Sequence, residues 1–157
     1  MRMDKKQRRL GEILIDKGLI NSEQLKYALE EQKRTKEFLG AILLKNNQIK
    51  ERDLLEALSE QFKIPFVSLK NKYIDWNLVK GFSSSLILDY KCFPIQEDGR
   101  AVTFATTNPL DVWAFKKSEE ETKGLQTKFV LVTQEDMEDV IQRYQQYMRS
   151  NISRLFE

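Results

Sequence analysis

RLGEILIDKGLINSEQLKYALEEQ, Arg9 to Gln32, is followed after the five residues KRTKE by FLGAILLKNNQIKERDLLEALSEQ, Phe38 to Gln61. The two 24-residue segments align without a gap at an offset of 29 and are identical at ten positions. These are Leu10/Leu39, Gly11/Gly40, Ile13/Ile42, Leu14/Leu43, Ile20/Ile49, Leu25/Leu54, Ala28/Ala57, Leu29/Leu58, Glu31/Glu60 and Gln32/Gln61. Such repetition marks a supersecondary unit that stacks on its twin, burying a face that neither copy can bury alone.

Each copy has the pattern of a short helix, a turn and a longer helix. In the first, Leu10, Ile13, Leu14 and Lys17 share a helical face, and Gly18 suits the left-handed residue that closes a helix. Asn21 or Ser22 caps the next helix, with Gln24 three residues after Asn21 for a reciprocal bond. Leu25, Ala28, Leu29 and Gln32 then recur at i, i+3, i+4 and i+7, and Leu54, Ala57, Leu58 and Gln61 repeat the stripe. Asn47 stands where the first copy has its closing glycine; asparagine tolerates positive φ next best.

Two features go beyond plain packing. A glutamine ends the apolar stripe in both copies, and a buried amide without partners is costly. Either it reaches solvent or a neighbouring loop carbonyl, or it meets a ligand. Gly11 and Gly40 sit in the first turn of a short helix, where glycine costs about 1 kcal/mol relative to alanine. Tight helix crossing accounts for that, and so does close approach of a flat ligand.

Beyond about Lys70 the periodicity changes. IDWNLVKGF and SSSLILDYK have the pattern of short helical turns, while CFPIQ and AVTFAT alternate like strands around an Asp98-Gly99 turn. Asn108-Pro109 is expected to cap and open a helix through about Glu119. KFVLVT is a third strand, and Thr133 caps a last helix with Met137, Val140, Ile141 and Tyr144 on its buried face. Tyr144 and Tyr147 are expected to pack. The expected class is therefore α+β: a tandem helix-turn-helix repeat of four helices over residues 1–69, then a small α/β sandwich of about three strands over 70–157.

Composition narrows the function. With 41% hydrophobic and 32% charged residues the 157-residue chain is globular, and a net charge of +2 supplies no field that selects nucleic acid. MRMDKKQRR carries a local basic excess, either a solvated terminus or an anion-binding lip. No apolar run reaches membrane-spanning length and no signal peptide is present, so direct membrane insertion is not expected. The single cysteine, Cys92, suits a small buried side chain in a reducing cytoplasm. The absence of histidine removes Ser–His and Cys–His pairs and HExxH metal sites. Neither GxxxxGK[ST] nor GxGxxG occurs. No enzyme, metal site or cofactor is expected.

Arg9–Gln32 resembles the tandem motif of the MshE N-terminal (MshEN) domain, which fronts the ATPases of type II secretion and type IV pilus assembly. That motif is RLG, two variable positions, two aliphatics, two variable positions, Gly, six variable positions, Leu, three variable positions, Leu, two variable positions, Gln. The first copy matches every fixed position; the second departs at Phe38 and Asn47. QFKIPFVSL (Gln61 to Leu69) and CFPIQEDGRAVTFATTNPLDVWAF (Cys92 to Phe115) extend the resemblance to about residues 8–147, with Asn108 where Asp is frequent. The ATPase core that usually follows is absent, which implies an excised or stand-alone regulatory domain.

The resemblance implies that one cyclic di-GMP spans both motifs. Leu10, Leu25 and Leu29, with Leu39, Leu54 and Leu58, would wall the guanine faces, and Arg9 would present a planar fork to a base edge or phosphate. Gln32 and Gln61 would both donate and accept, and backbone N–H groups near Gly11 and Gly40 would face anionic oxygens. Arg8, Leu14, Phe38, Leu43 and Asn108 complete the implied ligand-binding set. The implied partners are the ATPase core and inner-membrane platform proteins, with a cytoplasmic location, peripheral to the inner membrane through those partners. The alternative is a ligand-free docking domain linking the ATPase to that platform.

Overall fold

The computed structural model describes residues 9–155. They form two compact units, one running up to Ile64 and the other from Pro65 onward. The class is α+β, as expected: helices first, then a three-stranded mixed sheet with helices.

In the first unit, α1 (Leu10–Asp16) and α2 (Ser22–Thr35) come from the first copy, and α3 (Leu39–Lys45) and α4 (Glu51–Phe62) from the second. The closures of α1 and α3 match bond for bond. Gly18, at φ 71°, donates its N–H to the Ile15 carbonyl at 2.9 Å, and Leu19 donates to Leu14 at 3.0 Å. Asn47, at φ 56°, donates to Leu44 at 3.0 Å, and Gln48 donates to Leu43 at 2.9 Å. This paired closure satisfies carbonyls that the helix end would leave orphaned, and asparagine sustains it as glycine does. Asn21 opens α2 with the expected reciprocal cap, each bond to Gln24 being 2.8 Å. Lys50 offers α4 no side-chain cap, but Glu51 and Asp53 bring negative charge to its first turn.

The helices interlock across the copies: α1 packs on α4, α3 packs on α2, and α1 meets α3. Exchanging the two copies reproduces the same pairings, as a twofold relation requires. Ile13, Leu14, Ile20 and Ala28 are buried together with their counterparts Ile42, Leu43, Ile49 and Ala57. Each large aliphatic removed from water contributes about 1.5–3 kcal/mol.

The second unit holds α5 (Trp76–Val79), α6 (Ser84–Leu88), β1 (Phe93–Glu97), β2 (Ala101–Thr106), α7 (Val112–Glu121), β3 (Gln126–Leu131) and α8 (Gln134–Arg154). The sheet order is β1-β2-β3, with β1 antiparallel and β3 parallel to β2. At the β1–β2 turn the Asp98 carboxylate accepts from the Arg100 and Ala101 amides, both at 2.9 Å, beside Gly99 at φ 86°. One core cluster joins Phe93, Ala105 and Val130 to Met137, Val140, Ile141 and Tyr144 of α8, the face the periodicity predicts. A second joins Val102 and Phe104 to Ala114 of α7. Thr133 caps α8 by accepting from Asp136 at 3.1 Å. Tyr144 and Tyr147 pack as expected: the Tyr144 hydroxyl lies 3.0 Å from Ser84 Oγ, and Tyr147 stacks on Trp76 at 4.5 Å.

Two boundaries are corrected. The helix expected to open at Asn108-Pro109 instead begins at Val112, because Asp111 caps it by accepting from Ala114 at 3.0 Å. The Asn108 side chain is spent on a local turn, accepting from Leu110 at 2.9 Å. The third strand covers Gln126–Leu131 and not residues 128–133, because its parallel register with β2 runs from Ala101↔Gln126 to Thr106↔Leu131.

Candidate ligand-binding site

The two copies begin alike. Arg9 and Phe38 are the N-caps of α1 and α3, with extended backbones (φ −71°, ψ 148° and φ −67°, ψ 142°) and no side-chain capping bond. Both are exposed, Phe38 to 52%. An arginine fork therefore stands at one helix start and an aromatic face at the other.

The glycines that follow answer to packing. A Cβ placed on Gly11 would lie 2.6 Å from Leu25 Cδ1, and one on Gly40 would lie 2.8 Å from Leu54 Cδ1. Packing of a leucine side chain from the following helix onto each glycine thus accounts for both. Leu14 and Leu43 are wholly buried and support the short helices from inside, whereas Leu10 and Leu39 are half-buried.

The longer helices break the symmetry. Leu29 is 40% exposed while its counterpart Leu58 is 7% exposed, and Leu25 is half-buried where Leu54 is buried. The two glutamines also differ. Gln32 Nε2 donates to the Glu37 carbonyl at 3.2 Å, which is the loop-carbonyl alternative, and leaves its own oxygen free of any bond among the described residues. Gln61 is half-buried and its side chain has no hydrogen bond among the described residues.

Because α1 packs on α4 and α3 on α2, each potential half-site mixes the copies. Arg9 opens the helix that lies against the one carrying Leu58 and Gln61; Phe38 opens the helix that lies against the one carrying Leu29 and Gln32. An ion pair from Lys17 to Glu60, 3.1 Å, ties α4 to the end of α1, and one from Lys45 to Glu37, 3.5 Å, ties α3 to the spacer.

Asn108 belongs to the second unit, in the turn before α7. Arg8 lies outside the described residues. Glu37, the partner of Gln32, carries no sequence signal, because the bond uses its backbone carbonyl. Gln48 stands outside the motif's fixed positions: its Oε1 is buried without a partner among the described residues, and the 29-residue offset from Leu19 marks it as a polar exchange. Among the described residues no cluster of His, Cys, Asp or Glu could hold a metal ion, and no helix is long and apolar enough to cross a membrane. Burial pushes the Cys92 thiol up to about 12, with Ser118 as its hydrogen-bond neighbour at 3.0 Å, so it is an inert packing group.

A family model described as the MshEN domain matches residues 62–151, just over half of the chain. The match begins at the end of α4, so the tandem repeat lies outside it. The type IV pilus assembly ATPase PilB of Myxococcus xanthus is 27% identical over 136 residues, covering 87% of this chain and 24% of that protein. PilB of Thermus thermophilus is 28% identical over 117 residues, covering 73% of this chain and 13% of that protein. The chain thus spans about a quarter or less of these curated relatives. A solved structure of MshE with cyclic di-GMP superposes with a TM-score of 0.79 at 26% identity, over 87% of this chain and 99% of that one. The N-terminal domain of XpsE shares the fold, with a TM-score of 0.67 at 20% identity, over 91% of this chain and 98% of that one.

Proposed function

The chain belongs to the MshEN domain family, and on that premise we propose that it binds cyclic di-GMP. The domain regulates an ATPase of type II secretion or type IV pilus assembly from the cytoplasm, with the ATPase core and inner-membrane platform proteins as its partners. One ligand spreads across Arg9–Gln32 and Phe38–Gln61, within a ligand-binding subdomain over residues 1–69. The observation that carries this reading is the reciprocal packing of α1 on α4 and α3 on α2. A ligand made of two guanylate halves matches a protein made of two interlocked copies.

Chemistry assigns the parts. Arg9 gives one half a charge-assisted donor for a phosphate or guanine edge. Phe38 and Leu29, both exposed, give the other half an apolar face on which a base can stack. Gln61 is free to donate and accept, and Gln32 can still accept through its oxygen. The similarity to MshE with cyclic di-GMP supports the ligand class. Phe38 in place of arginine favours the second reading, a ligand-free docking domain that links the ATPase to the inner-membrane platform.

Calorimetric titration with cyclic di-GMP separates the two. The expected result is one ligand per chain, with GMP binding far more weakly. Two ligands per chain, or GMP binding as tightly, would overturn the shared site. No heat at all would favour docking.

A further inference from the structure

The apolar stripe of α8 runs past the body that covers it. Met137, Val140, Ile141 and Tyr144 are buried, but the stripe continues through Tyr147, Met148, Ile152 and Leu155 at helical spacing. Ile152 is 52% exposed and Leu155 81% exposed. Between these last turns and the segment from Lys80 to Ser84 lies an open groove of about 520 Å³, floored by Phe82, Tyr144, Tyr147 and Met148. An adjoining hollow of about 450 Å³ continues it past Leu88 to Arg149.

The charged residues that line this groove are basic; the carboxylates of Glu121 and Asp89, bonded to Ser83 and Ser85, stand outside the lining. Among the described residues no acidic side chain lines either hollow, while Lys80 and Arg149 do. Along α8 the acidic residues Glu135, Asp136, Glu138 and Asp139 all lie in the first two turns. From Val140 to Leu155 the only charges are Arg143, Arg149 and Arg154. Lys80, Arg149 and Arg154 have no acidic partner among the described residues.

We propose that this groove is a docking site for an amphipathic helix of a partner protein, one whose apolar stripe is flanked by aspartate and glutamate. A slot along the last three turns of α8 is about 16 Å long and matches three turns of a partner helix. Its floor of tyrosine, phenylalanine and methionine is of the composition that anchors interfaces. A second copy of this chain fits poorly, because pairing the same stripe brings Lys80, Arg149 and Arg154 against themselves. A membrane fits poorly too, because the apolar surface is concave and its rim carries few cations.

The test uses three helical peptides of about 16 residues, each with one leucine and phenylalanine stripe. Their flanks are glutamate, lysine or serine. The glutamate peptide is expected to shift the amide resonances of residues 80–84 and 144–155 and to bind at least about tenfold more tightly than the lysine peptide. Its affinity should fall as salt rises. Ile152→Glu should abolish the shifts, and because Ile152 is exposed the variant should fold normally. Lys80→Glu with Arg149→Glu should reverse the preference to the lysine peptide. Equal binding of all three peptides, shifts elsewhere on the chain, or no binding would overturn the proposal. So would an Ile152-dependent dimer in sedimentation, which assigns the groove to a second copy. Ile152-dependent binding to vesicles of anionic phospholipid, with no peptide binding, would assign it to a membrane instead.

Discussion

Leu25 fills the space that a side chain on Gly11 would need, its Cδ1 standing 2.6 Å from where that Cβ would be; Leu54 does the same for Gly40 at 2.8 Å. Two opposed terms therefore meet at each glycine. Alanine would gain about 1 kcal/mol of helix propensity, but it would drive the leucine terminus from its seat. The leucine end is flexible, so the conflict is local. Gly11→Ala is expected to destabilise α1 and α2 in the wild-type background, by roughly 1 kcal/mol. In a Leu25→Ala background the clash is gone, and the same change should become stabilising. Hydrogen exchange of the α1 and α2 amides through the four-member mutant cycle reads this sign reversal. Destabilisation of equal size in both backgrounds would show that Leu25 does not set the glycine.

Arg9→Ala should weaken cyclic di-GMP binding more than Phe38→Ala. A charge-assisted bond contributes about 1.5–3 kcal/mol and a stacked base about 1–3 kcal/mol, so magnitude alone leaves the order open. Salt resolves it. A phosphate contact from Arg9 weakens as salt rises, whereas stacking on Phe38 hardly responds. Arg9→Ala should lower affinity and flatten the salt dependence; Phe38→Ala should lower affinity at an unchanged slope. The reverse pattern would move the anchoring half to the second copy.

The two glutamines should part company. Gln32 holds the Glu37 carbonyl at 3.2 Å, so Gln32→Ala removes a native bond and should lower the stability of the first unit by about 1 kcal/mol. Gln61 has no such bond among the described residues. Gln61→Ala should leave stability within about 0.5 kcal/mol while reducing ligand affinity. Chemical denaturation with and without cyclic di-GMP measures both. A stability loss equal to that of Gln32→Ala would show that Gln61 is structural.

Alkaline pH should loosen the second unit through Cys92. Burial raises its thiol to about 12; the Ser118 bond opposes that, and the charges of Asp111 and Glu121 add to it. The unfolded thiol gives up its proton near about pH 8.5. Between those values the native state binds the extra proton. This contribution is therefore fully present below about pH 8.5 and declines as pH rises, by up to about 1.4 kcal/mol per unit. The stability difference between the wild type and Cys92→Ala, measured at pH 7 and pH 10, should shrink at the higher pH. An unchanged difference would mean that the thiol is already ionised or accessible.

What the sequence revealed follows from which signals are local. Gly18, Asn47, the Asn21–Gln24 pair and Thr133 act on neighbours within a few residues, and each was legible from spacing alone. Asn108-Pro109 misled because the same asparagine chemistry that caps helices also closes small turns; Asp111, three residues before Ala114, was the competing cap. The glycine partners Leu25 and Leu54 lie a full helix away, so only the fold could choose between packing and ligand approach. Leu29 and Leu58 show the limit most plainly. The same residue at the same position in both copies is 40% exposed in one and 7% in the other. Periodicity names a face, and the neighbours of that face decide what covers it.

The exchange of helices between copies has a consequence for ancestry and for fragments. A lone copy ending near Gln32 would present α1 without α4 and α2 without α3. Both missing surfaces could come only from another molecule of itself, related by a dyad through an isologous contact. The present chain is in that sense a homodimer joined into one polypeptide. Its five-residue spacer replaces a concentration-dependent encounter with a tether. A split between Lys33 and Glu37 would hand that encounter back to mass action.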